Sequence, residues 1–90
     1  MKLDMERDAR NFLEDLKTSG KQYIQVAVKV LSLMENPKPN DSEAMKGHPY
    51  YRVDVGEFRI IYEIGDDTVN IIIIGKRNGD EIYKKLKRKE

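Results

Sequence analysis

The hydrophobic period of this chain changes once along its length, and that change limits its fold more than any other feature. Through residues 9–33 apolar side chains recur at helical spacing; from Tyr51 onward they recur at every second position. A repeat near 3.6 puts side chains on one face of a helix, and a repeat of two puts them on one face of a strand. The chain therefore reads as helical first and β second, an α+β arrangement. Ala9, Phe12, Leu13 and Leu16 fall at i, i+3, i+4 and i+7, and Thr18-Ser19-Gly20 closes this helix with a glycine C-cap. In the next helix Ile24, Ala27, Val28 and Leu31 form one stripe, with Tyr23, Val26, Val30 and Leu33 beside it. So wide an apolar face predicts a helix buried on two sides, against a sheet and against the first helix. Asn36-Pro37 stops it. The turn between the helices is tight, so they form an αα-hairpin. Leu3 to Met5 reads as a short strand ahead of it.

Pro37 to Pro49 reads as a polar loop with three prolines. Beyond it Tyr51, Val53 and Val55 alternate with Arg52 and Asp54. Phe58, Ile60, Tyr62 and Ile64 alternate with Arg59, Ile61 and Glu63. Gly56-Glu57 has the Gly-X form of a type II′ hairpin turn. That turn sets Val55 opposite Phe58 and Val53 opposite Ile60 on the buried face, and Asp54 opposite Arg59 on the other. With Asp66-Asp67 as the next loop, Ile64 pairs with Val69 and Ile60 with Ile73. The run Val69–Ile74 is apolar on both faces and belongs inside the sheet. Asp80 to Arg88 reads as a last short helix with Ile82 and Leu86 on one side. The predicted order is β-α-α-β-β-β-α. The helices cover one face of a small, mostly antiparallel sheet, and the other face carries Arg52, Asp54, Arg59 and Glu63.

Ninety residues allow one domain, 1–90, with one core. The chain has no cysteine, which removes disulfides, thiol nucleophiles and thiolate metal sites, and its single histidine argues against a transition-metal site. No cofactor is expected. No segment approaches the ~20 apolar residues of a membrane span, and the first residues lack a signal peptide's apolar run, so the expected location is the cytoplasm. A net charge of +1 does not by itself point to nucleic acid.

The chemistry-bearing pattern is Arg59 and Arg77 on neighbouring strand tracts, with Tyr83 following. Guanidinium groups cannot lose their protons, and a rigid sheet that holds two of them can grip a phosphodiester. On strict alternation from Ile72 and Ile74, Lys76 rather than Arg77 joins the Arg59 face. A bulge at Gly75, or the end of the strand there, brings Arg77 round instead.

Met45-Lys46-Gly47, Tyr50-Tyr51-Arg52-Val53, Gly56-Glu57-Phe58-Arg59-Ile60-Ile61-Tyr62 and Ile74-Gly75-Lys76-Arg77 with Tyr83 resemble the strand motifs of the RelE/ParE superfamily of toxins. Gly-Lys-Arg followed six residues after the arginine by tyrosine is more similar to the RelE branch. That resemblance implies a toxin of a type II toxin–antitoxin system with a RelE-like fold. It implies a ribosome-dependent messenger-RNA endonuclease that uses the substrate's own 2′-hydroxyl, needs no metal, and is neutralised by an antitoxin in a hetero-oligomer. Arg59, Arg77 and Tyr83 then correspond to the family's site residues, with Asp54 beside them. Arg52, Lys76, Lys46 and Lys84 become the expected RNA contacts.

Relatives often carry two lysines where this chain has Arg52 and Asp54. An arginine cannot serve as general base, and Arg59 opposite Asp54 should lower the carboxyl's pKa. His48 has the most suitable ordinary pKa, but it lies in the loop ahead of the strands. The base is thus unassigned. The other readings of the scaffold are a ParE-like inhibitor of DNA gyrase that hydrolyses nothing, and a catalytically weak homologue that binds an antitoxin.

Overall fold

The computed structural model describes residues 1–89. Eight elements follow in order: β1 (Lys2–Met5), α1 (Arg7–Leu16), α2 (Lys21–Glu35), β2 (Ser42–Ala44), β3 (Tyr50–Val55), β4 (Phe58–Ile64), β5 (Thr68–Lys76) and α3 (Glu81–Lys89). A 3₁₀ turn at Lys17–Ser19 joins the first two helices. Gly20 takes a positive φ of 49° at that junction, where a side chain would be strained.

The five strands lie in the order β1-β5-β4-β3-β2. All neighbours are antiparallel except β1, which runs parallel to β5 with Leu3 opposite Val69. The β3–β4 hairpin has the predicted register, with Val55 opposite Phe58, Asp54 opposite Arg59 and Val53 opposite Ile60. Its turn places Gly56 at φ 57°. A positive φ at the first central residue alone is the geometry of the type II′ turn, whose twist matches that of the flanking strands. The loop expected over residues 37–49 contains a further strand. Ser42, Glu43 and Ala44 pair with Val53, Arg52 and Tyr51 to form the sheet's other edge. Three mostly polar residues are too few to show a period, so only the partner strand reveals them.

The β4–β5 register departs from expectation by one residue. Ile64 pairs with Val69 as predicted, but Ile60 pairs with Ile74 rather than Ile73. A bulge lies between the pairs Tyr62–Ile71 and Ile61–Ile73, which leaves Ile72 as the extra residue. Ile72 and Ile73 consequently belong to the same hydrophobic cluster, on the same side of the sheet.

Two cores result. α1 and α2 pack on one face over Val53, Phe58, Ile60, Tyr62, Val69, Ile71 and Ile74. Phe12 meets Phe58 edge to face at 5.8 Å, and Tyr62, fully buried, donates its hydroxyl to the Pro37 carbonyl at 2.7 Å. The opposite face is not left bare to polar residues. α3 covers its middle, with Ile82 and Leu86 packed on Ile61, Ile72 and Ile73. Each such buried aliphatic side chain contributes about 1.5–3 kcal/mol. One expectation fails on the hairpin side. Val26, Val30 and Leu33 are buried, but Ile24, Val28 and Leu31 are 61%, 59% and 57% exposed. The first stripe of α2 therefore faces outward, and the helix is buried along the second stripe only.

Candidate functional site

Beside α3, the outward face of β3 and β4 presents Arg52, Asp54 and Arg59. Asp54 and Arg59 are directly opposite one another, and Arg59 closes a two-pronged ion pair across the strands. Its Nε donates to Asp54 Oδ1 at 2.7 Å and its Nη2 donates to Oδ2 at 3.2 Å. These hydrogen bonds hold the Asp54 carboxyl below its ordinary pKa and raise that of the Arg59 guanidinium further. Asp54 is therefore an anion at neutral pH and a weak proton acceptor, as its position opposite Arg59 implies.

The bulge at Ile72 decides which basic residue of the β5 end joins this face. Because one extra residue is absorbed upstream, Gly75 lies opposite Arg59 and Lys76 lies opposite Phe58. Phe58 belongs to the helical-hairpin core, so Lys76 is on the far side from Arg59. Arg77 follows on the Arg59 side. Its backbone N–H donates to the Glu57 carbonyl at 3.0 Å, and its Nη1 comes within 3.9 Å of Asp54 Oδ2. The parity argument for Lys76 is thereby overturned, through a slip three residues earlier than Gly75.

Tyr83 is the third component. Ile82 and Leu86 fix α3 on the sheet, which turns the intervening Tyr83 toward the arginines. Its hydroxyl oxygen accepts from Arg52 Nη1 at 2.9 Å and from Arg59 Nη1 at 2.5 Å. With two N–H donors already on that oxygen, the hydroxyl keeps its own hydrogen as a donor. Arg59 also lies over the Tyr83 ring, 6.0 Å from its centre. Ile82, the residue before Tyr83, packs over Gly75, 3.7 Å from where a Cβ would stand.

Among the expected RNA contacts, Arg52 is in the cluster, with its other Nη held by Glu43 at 2.9 Å. That pairing, made through β2, was not legible without the strand. Lys46 lines a cavity with Met45, His48, Arg52 and Tyr83. Lys84, on α3, instead pairs with Asp80, the residue just before that helix, at 3.7 Å. Lys76 lines a separate hollow with Phe12, Ile82 and Lys85. His48, assigned to a loop before the strands, is brought alongside Tyr83 because β2 folds that loop back onto β3. Among the described residues no group of three or more His, Asp or Glu side chains could hold a metal ion, and no helix is long and apolar enough to cross a membrane.

A two-helix hairpin on one face of a five-stranded, mostly antiparallel sheet, with a third helix on the other, is the fold of solved RelE-type toxins. The chain is similar in structure to a doubly substituted Escherichia coli RelE toxin in the free state, with 24% identity over 97% of this chain and 95% of that one and a TM-score of 0.76. It is likewise similar to a YoeB/ParE toxin from Agrobacterium tumefaciens, with 15% identity over 86% and 99% and a TM-score of 0.75. A third relative is the archaeal RelE–RelB complex of Pyrococcus horikoshii, with 20% identity over 86% and 94% and a TM-score of 0.73. No curated protein matches the sequence. The family model for the ParE toxin of the type II toxin–antitoxin system parDE matches residues 3–81. The chain belongs to that toxin family, within the RelE/ParE superfamily.

Proposed function

We propose that this toxin cleaves messenger RNA in the ribosomal A site by attack of the substrate's own 2′-hydroxyl on the adjacent phosphate. One observation carries the reading: Arg59 on β4 and Arg77, just past the end of β5, converge on a single carboxylate, Asp54. A carboxylate held by two guanidiniums resembles the anionic oxygens of a phosphodiester, so the site is already shaped for one. Charge that builds on the phosphorane oxygens would be stabilised by groups that need no reorganisation. Tyr83, whose oxygen already accepts two N–H groups, keeps its own O–H as a donor suited to a phosphate or leaving oxygen. A cognate antitoxin is the expected partner in a hetero-oligomer, as in the RelE–RelB complex of the archaeal relative, and the ribosome with its message is the expected target. The expected setting is the cytoplasm.

The deciding experiment is to deplete the antitoxin and map 5′ ends on translated transcripts. Cuts confined to the A-site codon support the proposal; growth arrest with intact messages refutes it. A second reading has an observation in its favour. The matching family model is that of ParE, and Arg52 and Arg59 are each already paired with a carboxylate. Under that reading the same face is a protein interface and the toxin traps DNA gyrase. Protein-linked DNA breaks in toxin-exposed cells would then appear in place of RNA cuts.

A further inference from the structure

Among the described residues the large apolar side chains left exposed are Met1, Ile24, Val28 and Leu31, and three of the four stand in one line on α2. Single exposed apolar residues are ordinary on a surface, but a line of them along one helix face is not. Lys21 precedes the line and Glu35 ends it, both exposed. The outward seam thus reads Lys21, Ile24, Val28, Leu31, Glu35, in alternating steps of three and four. That is the spacing of side chains that meet across a pair of packed helices. We propose that two copies of this chain pair through the seam, α2 against α2 and antiparallel, about a two-fold axis at Val28.

The charges select both the occupant and its direction. α2 has no acidic residue in its first turn and no basic residue in its last. Lysine stands instead at the positive end of the helix and glutamate at the negative end, so each opposes the dipole of its own helix. Among the described residues neither finds an ion-pair partner. Lys21 and Glu35 each lie seven residues from Val28. A two-fold axis brings together residues equally distant from it. Lys21 of each copy then faces Glu35 of the other, and each charge stands beside a helix end of opposite sign. A parallel pair would set lysine on lysine and glutamate on glutamate. The same symmetry lays Ile24 against Ser32 and Leu31 of the second copy. Ser32 donates its hydroxyl to the Lys29 carbonyl at 2.6 Å, so the contact strands no polar group.

The interface is small. The helix has 15 residues, which gives a contact about 22 Å long and about 10 Å wide. A stable complex covers roughly 800 Å² on each partner. The dimer is therefore weak and reversible, and dilute protein is monomeric, with a fold that does not depend on the stripe. α2 packs on the sheet face away from Tyr83 and α3, so pairing leaves the arginine cluster of each copy open. The assignment is independent of what that cluster acts on.

Sedimentation equilibrium of the purified chain, free of antitoxin, tests this over about 10 µM to about 1 mM, the range open to so small an interface. The weight-average mass should climb from one copy toward two and stop there. Val28→Glu, which sets two carboxylates face to face on the axis, should hold the protein at one copy throughout. Lys21→Glu and Glu35→Lys should each weaken the dimer severalfold, and the two reversals together should restore it. All four variants change only exposed positions and should unfold no earlier than wild type in dilute solution. A wild type that stays at one copy at the highest concentration overturns the proposal, as does a mass that rises past two. Val28→Glu that still dimerises would place the interface elsewhere. A double reversal no better than the single ones would remove the antiparallel pairing. A monomeric wild type whose Val28→Glu variant no longer retains the coexpressed cognate antitoxin would give the stripe to the antitoxin, which also overturns it.

Discussion

Asp54 stands between two arginines, and its carboxylate sets what each of them does. Arg59 holds it at 2.7 Å and Arg77 approaches it at 3.9 Å. Replacing Arg59 or Arg77 by alanine should abolish RNA cutting, but the two should differ in stability. Arg59 is largely buried and bonded to both Asp54 and Tyr83, so Arg59→Ala should lower the unfolding free energy by about 1 kcal/mol or slightly more. Arg77, half exposed and 3.9 Å from its partner, should cost little; chemical denaturation checks both. Asp54→Asn gives a pH signature. The folded carboxyl has a lowered pKa, so its contribution is fully present above the unfolded value near 4 and fades as pH falls through the folded value. The stability gap between wild type and Asp54→Asn, read from urea midpoints, should be constant near neutrality and close in acid; a gap that does not change with pH would contradict the ion pair. If the face binds RNA as proposed, the same variant, which lacks the carboxylate that pairs with Arg59, should bind a short RNA more tightly in a filter assay. Most of this constellation was legible, since the hairpin turn at Gly56-Glu57 alone sets Asp54 against Arg59. The Tyr83 bonds and the Glu43 pairing were not, because they join residues 24 to 31 and 9 positions apart through helix docking and an unrecognised strand.

At the scale of elements, each strand register depends on its turn. The two-residue turn at Gly56-Glu57 admits only one pairing, which is why the β3–β4 ladder was predictable residue by residue. Gly56→Ala would place a Cβ 2.9 Å from Gln25 Oε1 and strain a backbone at φ 57°. It should cost about 1–2 kcal/mol, seen as a lower unfolding midpoint. The β4–β5 ladder was predictable only near its turn. Ile71 to Ile74 are identical side chains with apolar surroundings on both faces, so nothing in their chemistry marks where one residue slips. That slip transfers Arg77 to the Arg59 face and Lys76 away from it. α3 packs over Gly75, where an added Cβ would stand 3.7 Å from Ile82, an ordinary van der Waals contact. Gly75→Ala should be accepted with near-normal activity, and Gly75→Leu should push α3 off the sheet, at about 1–3 kcal/mol, and uncouple Tyr83 from the arginines. Equal activities for the two would show that α3 is not positioned by this contact.

For the molecule as a whole, the sheet is buried from both sides but unequally. The helical hairpin covers one face broadly, and the single helix α3 covers only the middle of the other, leaving the arginine cluster beside it. The outward stripe of Ile24, Val28 and Leu31 takes no part in either core. Replacing all three with glutamine should therefore shift the unfolding free energy by no more than about 0.5 kcal/mol per site; a loss of several kcal/mol would mean that the stripe is covered in the folded state. The sequence had suggested the contrary, because hydrophobic periodicity reports which side chains share a face and not whether anything lies against it.

What the amino-acid order determined by itself was local: two amphipathic helices, strands with alternating faces, and a hairpin whose turn chemistry left one register. These follow from backbone sterics and side-chain spacing over a few residues. The tertiary structure alone decided which of two stripes on α2 is buried, that the short segment Ser42–Ala44 becomes an edge strand, and that an isoleucine is extruded so that Arg77 rather than Lys76 meets Arg59. It also brought His48 and Tyr83 to the walls of one groove. Each of those outcomes is set by how separate elements share a limited buried volume, a competition that no short stretch of sequence contains.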